Sequence, residues 1–194
     1  TVLLYQMYSV MSAFDYLYVR VGAIYEKENE RGISHFVEHT ALLGTKKYLS
    51  AVDISKAAEN MGASYNAETS PTSTEYYIKL PFVNLTKGLG FLHELVFNPI
   101  LKQEDVLKEK NVILSEFNDF WHNPDKRFTH EVWRQRFKQK QHPYSFRPLG
   151  KTETIESFDL IKALDWRKKY YHPANMVLTL AGNLKDKSFM SFIE

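Results

Sequence analysis

The sequence predicts an α+β domain with a mixed, largely antiparallel sheet and with helices packed mainly on one face of that sheet. Strand-like segments are mixed with segregated helical segments, a pattern typical of this fold class. The composition is globular, because 44% of the 194 residues are hydrophobic and 25% are charged. A chain of this length can bury one substantial core, so residues 1–194 are predicted to form a single domain.

Two strands and one helix are predicted at the start of the chain. Segments 2–7 and 13–21 have the apolar and aromatic residues of strands, and the charged segment 26–31 forms a loop after them. The helix that follows contains two histidines and is expected to end near Gly44.

A second helix and a hairpin are predicted next. Ser50, with Asp53 three residues later, is a capping box for a helix that runs to Met61. Segments 63–70 and 74–80 then have the pattern of two paired strands.

The remainder of the chain is predicted to be mostly helical. Four apolar residues recur at helical spacing before the break at Pro99: Leu85, Leu89, Leu92 and Val96. Further helices are expected around Glu109 and Glu116, over 125–139 and over 160–171, with a last strand over 176–181. The proline-containing stretch before Lys151 either lines a groove or merely connects two helices.

Charge and composition exclude several classes of function. A net charge of +2 does not favour binding to nucleic acid or to an anionic membrane, and the short basic run Arg167-Lys168-Lys169 is interpreted as one solvated helix face. No apolar run approaches about 18 residues, so no membrane span is predicted. The chain has no cysteine, which leaves histidine and carboxylate side chains as the available metal ligands. The compartment stays open.

The segment His35-Phe36-Val37-Glu38-His39 is the strongest chemical signal in the sequence. Residues four apart on a helix project from the same face, so His35 and His39 can bind one metal ion. Zinc bound by two imidazoles needs at least one further protein ligand, and a catalytic site leaves its last position to water. Glu38 is well placed as the general base that takes a proton from that water. The alternative is an ordinary pair of surface histidines on a helix.

A second group of acidic residues lies much later in the chain. Glu109 and Glu116 are seven residues apart, so they share nearly the same helix face with Ile113 and Val106. Carboxylates on such an apolar face are costly to bury unless a cation or hydrogen bonds satisfy them, and a metal ion would do so. The alternative is an amphipathic helix whose glutamates lie at its solvent-exposed margin.

With these features the chain resembles the inverted-motif zinc peptidases of the pitrilysin, insulin-degrading enzyme and mitochondrial processing peptidase group. Gly32 before the motif and Gly44-Thr45 after it are similar to the family signature, although Thr40, Leu42 and Leu43 depart from its usual residues. Further similarities extend along most of the chain: Asn66-Ala67-Glu68-Thr69-Ser70, Thr74-Glu75-Tyr76-Tyr77, His142-Pro143-Tyr144, Pro148-Leu149-Gly150 and Tyr170 to Met176.

The resemblance implies a role for each candidate residue. In the family that the chain resembles, the third zinc ligand is a glutamate separated from the second histidine by about 76 residues. In this chain 76 residues lie between His39 and Glu116. The resemblance implies one Zn²⁺ per chain held by His35, His39 and Glu116, with Glu38 as the base and Glu109 in support of the ligands. The stretch formed by Asn66, Ala67, Glu68 and Thr69 would bind an extended peptide or unfolded protein substrate as an added strand.

The resemblance also implies that this chain is one half of a metallopeptidase clamshell, namely the N-terminal zinc-carrying domain. A second homologous domain or subunit, absent from this chain, would complete the site, and the domain alone would be inactive or weakly active. Three hypotheses remain: an active zinc endopeptidase, a zinc-bound but non-catalytic half that pairs with an active partner, and a metal-free structural homologue.

Overall fold

A five-stranded β-sheet forms the centre of the fold in the computed structural model, which describes residues 1–137, 142–185 and 187–193. The strands are β1 (Val2–Gln6), β2 (Ser12–Val19), β3 (Ser64–Thr69), β4 (Thr74–Pro81) and β5 (Met176–Gly182). Their order across the sheet is β1-β5-β2-β4-β3. β1 runs parallel to β5, and the other neighbouring pairs are antiparallel. The sheet is therefore mixed and largely antiparallel, as predicted.

The described residues also form eight α-helices. They are α1 (Ile33–Thr40), α2 (Ala51–Asn60), α3 (Leu85–Phe97), α4 (Gln103–His122), α5 (Pro124–Phe137), α6 (Thr152–Glu156), α7 (Leu160–Tyr170) and α8 (Met190–Ile193). Helices α1 and α3 contact the sheet directly, while α4 and α7 pack against α1. The motif helix thus lies between the sheet and two outer helices. Within the described residues, no helix is long and apolar enough to span a membrane.

The two faces of the sheet differ in what packs against them. Along β2, Ala13, Leu17 and Val19 are buried towards the helices, whereas Tyr16 points to the opposite face. On that opposite face, Tyr16 and Tyr77 stack with their ring centroids 4.7 Å apart. Side chains alternate between faces along a strand, so one face packs under helices and the other is lined by aromatic rings. This arrangement confirms the predicted packing of helices mainly on one face.

The main hydrophobic core lies between the sheet and the helices and reaches the motif helix itself. Phe36 and Val37 of α1 are fully buried in it, and Phe36 packs against Phe158 with ring centroids 5.2 Å apart. Burying one such side chain contributes about 1.5–3 kcal/mol. The apolar residues inside the motif therefore anchor α1, which fixes the direction of its histidines.

A buried polar side chain lies under α3, close to a second, smaller core formed by Ala13, Leu85, Leu89, Leu180, Leu184 and Phe189. Asp15 of β2 is fully buried, and neither of its carboxylate oxygens has a hydrogen-bond partner among the described residues. Gly88 of α3 lies over it, since a Cβ atom at residue 88 would be 3.1 Å from Oδ2 of Asp15. Burial raises the pKa of Asp15 to about 8. The carboxyl group is therefore mostly protonated at neutral pH.

Several element ends differ from those predicted. The motif helix ends at Thr40 and not near Gly44, because the chain turns there towards the end of α3. The backbone N–H of Ile100 donates a hydrogen bond to the carbonyl of Gly44 at 2.9 Å, and Thr45 forms a β-bridge with Pro99. The helix predicted over 125–139 begins at Pro124 and is described to Phe137; residues 138 and 139 lie outside the described residues.

Candidate metal centre

The start of the motif helix is held by a buried carboxylate. Glu26, only 4% exposed, accepts hydrogen bonds from the backbone N–H groups of Gly32 at 2.8 Å and Ser34 at 2.9 Å. The first N–H groups of a helix have no partner within the helix, and a carboxylate also interacts favourably with the positive end of the helix dipole. Burial raises the pKa of Glu26, although these two backbone hydrogen bonds oppose the rise.

Two glycines allow the chain to pass close to this helix start. Gly32 has a φ of +96° and Gly150 a φ of +77°, both in the left-handed region. A Cβ atom at residue 150 would lie 2.5 Å from the carbonyl oxygen of Arg31, so only glycine fits. This contact fixes the stretch before Lys151 beside the motif helix, where residues 147–149 line the cavity in front of the histidines. The stretch lines a groove, the first of its two predicted alternatives.

The imidazoles of His35 and His39 face each other as their spacing predicts. Their Nε2 atoms are 3.0 Å apart. The Nδ1 atom of His39 is 2.7 Å from Oε1 of Glu109, so Nδ1 carries the hydrogen of this bond and Nε2 keeps its lone pair. Glu109 thereby directs the free lone pair of His39 towards His35.

Helix α4 brings the acidic residues to the same point. Val106 and Ile113 are fully buried, and they turn the intervening face of α4 towards α1. Oε2 of Glu116 is 3.7 Å from Nε2 of His35 and 3.5 Å from Nε2 of His39. The potential ligand atoms of these three residues lie within 4.8 Å of one another, the one such group of three or more found among the described residues.

The donor set fits a zinc ion. Two nitrogens bound to zinc at ~2.0–2.1 Å in tetrahedral geometry lie about 3.3 Å apart, close to the 3.0 Å between the two Nε2 atoms. Two imidazole lone pairs cannot face each other at this distance, so either a hydrogen on one Nε2 atom or a metal ion lies between them. Burial lowers the pKa of His35 to about 3, and the neighbouring His39 adds to this effect. His35 is therefore neutral at physiological pH, as a metal ligand must be.

His39 is in a different electrostatic environment. Burial opposes its protonation, but the hydrogen bond with Glu109 and the charges of Glu38 and Glu116 outweigh burial and raise its pKa. The carboxylates around this imidazole favour any cation placed there. A proton and a metal ion would compete for the same Nε2 lone pair, so acid would displace the metal.

Glu38 lies beside the two histidines without facing them as a ligand. It is 6% exposed, and its Oε2 accepts a hydrogen bond from the hydroxyl of Thr69 at 2.7 Å. Burial raises the pKa of Glu38, and the Thr69 hydrogen bond opposes part of that rise. A carboxylate with a raised pKa can take up a proton nearer to neutral pH and release it again.

The predicted substrate-binding residues lie on β3, which is an edge strand. Asn66, Ala67, Glu68 and Thr69 pair with β4 on one side and have no strand on the other among the described residues. All four line the cavity of about 600 Å³ that also contains His35, Glu38, His39 and Glu116. Their side chains differ: Ala67 is 8% exposed and belongs to the core, whereas Asn66 and Glu68 are exposed.

Sequence reasoning missed three parts of this site. Glu26 had no distinguishing signal, because it is one of several charged residues in the 26–31 loop. The hydrogen bond between Thr69 and Glu38 joins residues 31 positions apart, and no local pattern encodes it. Arg147 also lines the cavity. Its position just before Pro148-Leu149-Gly150 was the only available signal.

Comparison with known proteins places this chain in a family. The sequence profile described as insulinase, peptidase family M16, matches residues 2–147. The chain belongs to the insulinase family.

Named relatives agree with this insulinase-family assignment. A protein of Rickettsia bellii described as an uncharacterized zinc protease is 33% identical over 194 residues, which are 100% of this chain and 46% of that protein. The mitochondrial-processing peptidase subunit beta of Bos taurus is 31% identical over 174 residues, covering 90% of this chain and 35% of that subunit. The chain thus spans less than half the length of these relatives.

Solved structures show the same insulinase-family fold. A protease from Helicobacter pylori has a TM-score of 0.86 at 24% identity, over 98% of this chain and 45% of that one. A domain from Pseudomonas fluorescens described as a peptidase M16 inactive domain has a TM-score of 0.84 at 19% identity, over 98% of this chain and 46% of that one. Since an inactive domain has this fold too, the side chains and not the fold must decide activity.

Proposed function

We propose that this insulinase-family chain carries the zinc site of an endopeptidase, in which a glutamate base assists attack of water on a peptide bond. The observation that supports this most directly is the convergence of two imidazoles from α1 and one carboxylate from α4, with Glu38 beside them. This arrangement combines three protein ligands with a neighbouring base, the combination found in catalytic zinc sites.

In this proposal His35, His39 and Glu116 hold one zinc ion, and Glu109 holds the imidazole of His39 in the required tautomer. Zinc bound there would supply Lewis acidity, which polarises the peptide carbonyl and makes a water molecule acidic enough to ionise near neutral pH. Burial keeps His35 neutral and ready to bind.

Glu38 moves the protons. Its carboxylate takes a proton from the attacking water and then donates that proton to the nitrogen of the leaving amine, which breaks the peptide bond. Thr69 donates a hydrogen bond to Oε2 of Glu38, and this holds the carboxylate in one orientation. Burial raises the pKa of Glu38 from its usual value towards neutral pH. The carboxylate can therefore both accept and release a proton more easily at neutral pH.

The substrate would add to the sheet as an extended strand along β3. An edge strand offers unpaired backbone N–H and C=O groups, and a peptide that pairs with them is held mainly through its own backbone. Such pairing would bring a peptide bond to the cavity that is lined by both β3 and the histidines. It would also allow peptides of many sequences to bind, including unfolded segments of proteins.

A second homologous domain or subunit would complete the binding cleft. The relatives are more than twice as long as the part that this chain matches, which supports this expectation. The alternative function is a zinc-bound but non-catalytic half that pairs with an active partner. The Pseudomonas fluorescens domain is described as inactive and has the same fold, so this alternative needs a direct test.

The test separates metal binding from turnover in the intact protein. Glu38→Gln should leave the zinc content near one ion per chain and abolish cleavage of an unstructured fluorogenic peptide. Glu59→Gln, an exposed glutamate on α2, is the matched control and should change neither. A chelator should stop cleavage by the unaltered protein. Undiminished cleavage by Glu38→Gln would refute the proposal, and zinc binding without any cleavage would favour the non-catalytic alternative.

A further inference from the structure

A second cavity, of about 860 Å³, adjoins the one in front of the metal centre. The two cavities share the side chains of Phe120, Arg147 and Leu149. Aromatic rings from α4, those of Phe117 and Trp121, form part of the wall of the second cavity. A peptide lying along β3 across the metal centre would therefore have this cavity within reach of one of its side chains.

Positive charge exceeds negative charge in the second cavity. The cationic side chains in its lining are Arg31, Arg134, Arg147 and Lys151, and the acidic ones are Glu28 and Glu153. This excess contrasts with the metal centre, where the carboxylates of Glu38, Glu109 and Glu116 gather. An acidic group of a bound peptide would be attracted towards the cations of the second cavity.

Three of the four cations already have carboxylate partners. Arg31 and Lys151 both pair with Glu28, and Arg134 pairs with Glu131 at 2.7 Å. Arg31 also donates a hydrogen bond to the carbonyl of Ala23 at 3.0 Å. The charges of these three side chains are already paired with carboxylates of the protein itself.

Arg147 is the exception. No carboxylate of the described residues lies within 4.0 Å of its guanidinium, and its buried Nε has no hydrogen-bond partner among them. The guanidinium carbon lies 5.3 Å from the ring centroid of Phe120. An arginine fork against an aromatic ring is well suited to bind a carboxylate through two parallel hydrogen bonds.

We infer that the second cavity is a specificity pocket for a carboxylate of the substrate peptide, bound by Arg147 between the metal centre and the aromatic wall. This inference rests on the proposed peptidase function and adds a substrate preference to it. The carboxylate comes either from an aspartate or glutamate side chain or from the C-terminus of the peptide. The methylene groups of an acidic side chain, or the last side chain of a peptide with a free C-terminus, would pack against Phe117 and Phe120.

The test compares matched peptides on the intact, zinc-loaded protein. One set carries Glu, Gln or Lys at a single position that is moved along the peptide, and a second set has either a free or an amidated C-terminus. Glu at one position, or the free C-terminus, should raise kcat/KM about tenfold over its neutral counterpart, the effect expected of one charge-assisted pair. The set that responds identifies the source of the carboxylate.

Variants then assign the preference to the arginine. Arg147→Met should bring the ratio of kcat/KM for the charged and neutral peptides close to one, and Arg147→Glu should reverse the preference towards Lys. Arg20→Met removes an exposed cation that lines neither cavity and should preserve the ratio. Circular dichroism and zinc content show whether each variant folds, and binding of the same peptides to Glu38→Gln gives a readout that needs no turnover.

The outcomes distinguish this inference from the proposed function. If the protein binds zinc and cleaves all peptides at the same rate whether or not they carry the carboxylate, the specificity pocket is refuted and the proposed peptidase function is not. A preference that survives in Arg147→Met would overturn the role of that residue. Absence of both zinc and cleavage would overturn the proposed function, and the failure of every peptide to bind Glu38→Gln would overturn the pocket as well.

Discussion

The buried carboxyl group of Asp15 makes a quantitative prediction about the stability of the fold. Its pKa is raised from 3.8 to about 8 by burial, a difference of about four pH units. Each unit corresponds to about 1.4 kcal/mol, so ionising Asp15 costs about 6 kcal/mol more in the folded chain than in the unfolded one. This cost is comparable to the whole stability of a small domain, about 5–15 kcal/mol.

The sign of the pH dependence follows from the proton count. Between about pH 4 and about pH 8 the folded chain keeps the Asp15 proton and the unfolded chain has lost it. The free energy of unfolding should therefore fall by about 1.4 kcal/mol for each pH unit through this range because of this residue alone. Below about pH 4 both states are protonated, and the penalty is absent.

Asp15→Asn isolates this contribution, because an amide has nearly the same shape and does not titrate. Urea unfolding followed by circular dichroism at about pH 5, 6 and 7 should give a variant that gains about 3 kcal/mol over the unaltered chain across these two units. Asp165→Asn, at an exposed position on α7, is the control and should follow the unaltered chain. Parallel pH dependence for Asp15→Asn and the unaltered chain would refute the reasoning.

Three further predictions concern the residues that support the metal centre. Glu109→Gln weakens the hydrogen bond that orients His39, so the zinc Kd should rise about 10–100-fold in competition with a chromogenic chelator; an unchanged Kd would contradict this role. Thr69→Val removes a hydrogen bond that lowers the pKa of Glu38, so the acidic limb of the kcat/KM profile should move to higher pH. A fixed limb, with the variant folded, would mean that Glu38 does not set it. Glu26→Gln replaces the carboxylate at the start of α1 and should lower the free energy of unfolding by about 1–3 kcal/mol, measured by urea unfolding. Full retention of stability would show that the backbone N–H groups find other partners.

Much of the fold could be predicted because its signals are local. The alternating pattern of β2 and β4 and the N-cap at Ser50 each depend on residues within one element. The Ser50 hydroxyl oxygen accepts a hydrogen bond from the backbone N–H of Asp53 as expected. The predicted capping box is not complete, because the carboxylate of Asp53 accepts its hydrogen bond from the Ser50 hydroxyl and not from the Ser50 backbone. The spacing of His35 and His39 fixes their common face for the same reason. The end of α1 was misplaced because it is decided by the contacts of Gly44 and Thr45 with residues beyond α3.

The parts of the site that escaped prediction depend on contacts between distant segments. Glu109 and Glu116 are suggested by the family resemblance, but their distances to the histidines follow from how α4 packs on α1 through Val106 and Ile113. Among the described residues Arg147 has no carboxylate partner, because the nearby carboxylates form ion pairs with other cations. Glu28 pairs with Arg31 and Lys151, and Glu131 pairs with Arg134. A sequence gives the number of charges in a region, whereas the partner of each charge is decided only by packing.

The separation of the ligands along the chain has a consequence for the order of assembly. Two histidines four residues apart can chelate a metal weakly as soon as one helical turn exists, but the carboxylates of Glu109 and Glu116 arrive only when α4 docks, after a loop of about 70 residues has closed. A nascent or partly folded chain would therefore exchange zinc readily with competing ligands. Docking of α4 would convert that loose complex into a retained one, and under the proposed function peptide hydrolysis would begin only after the helices have come together.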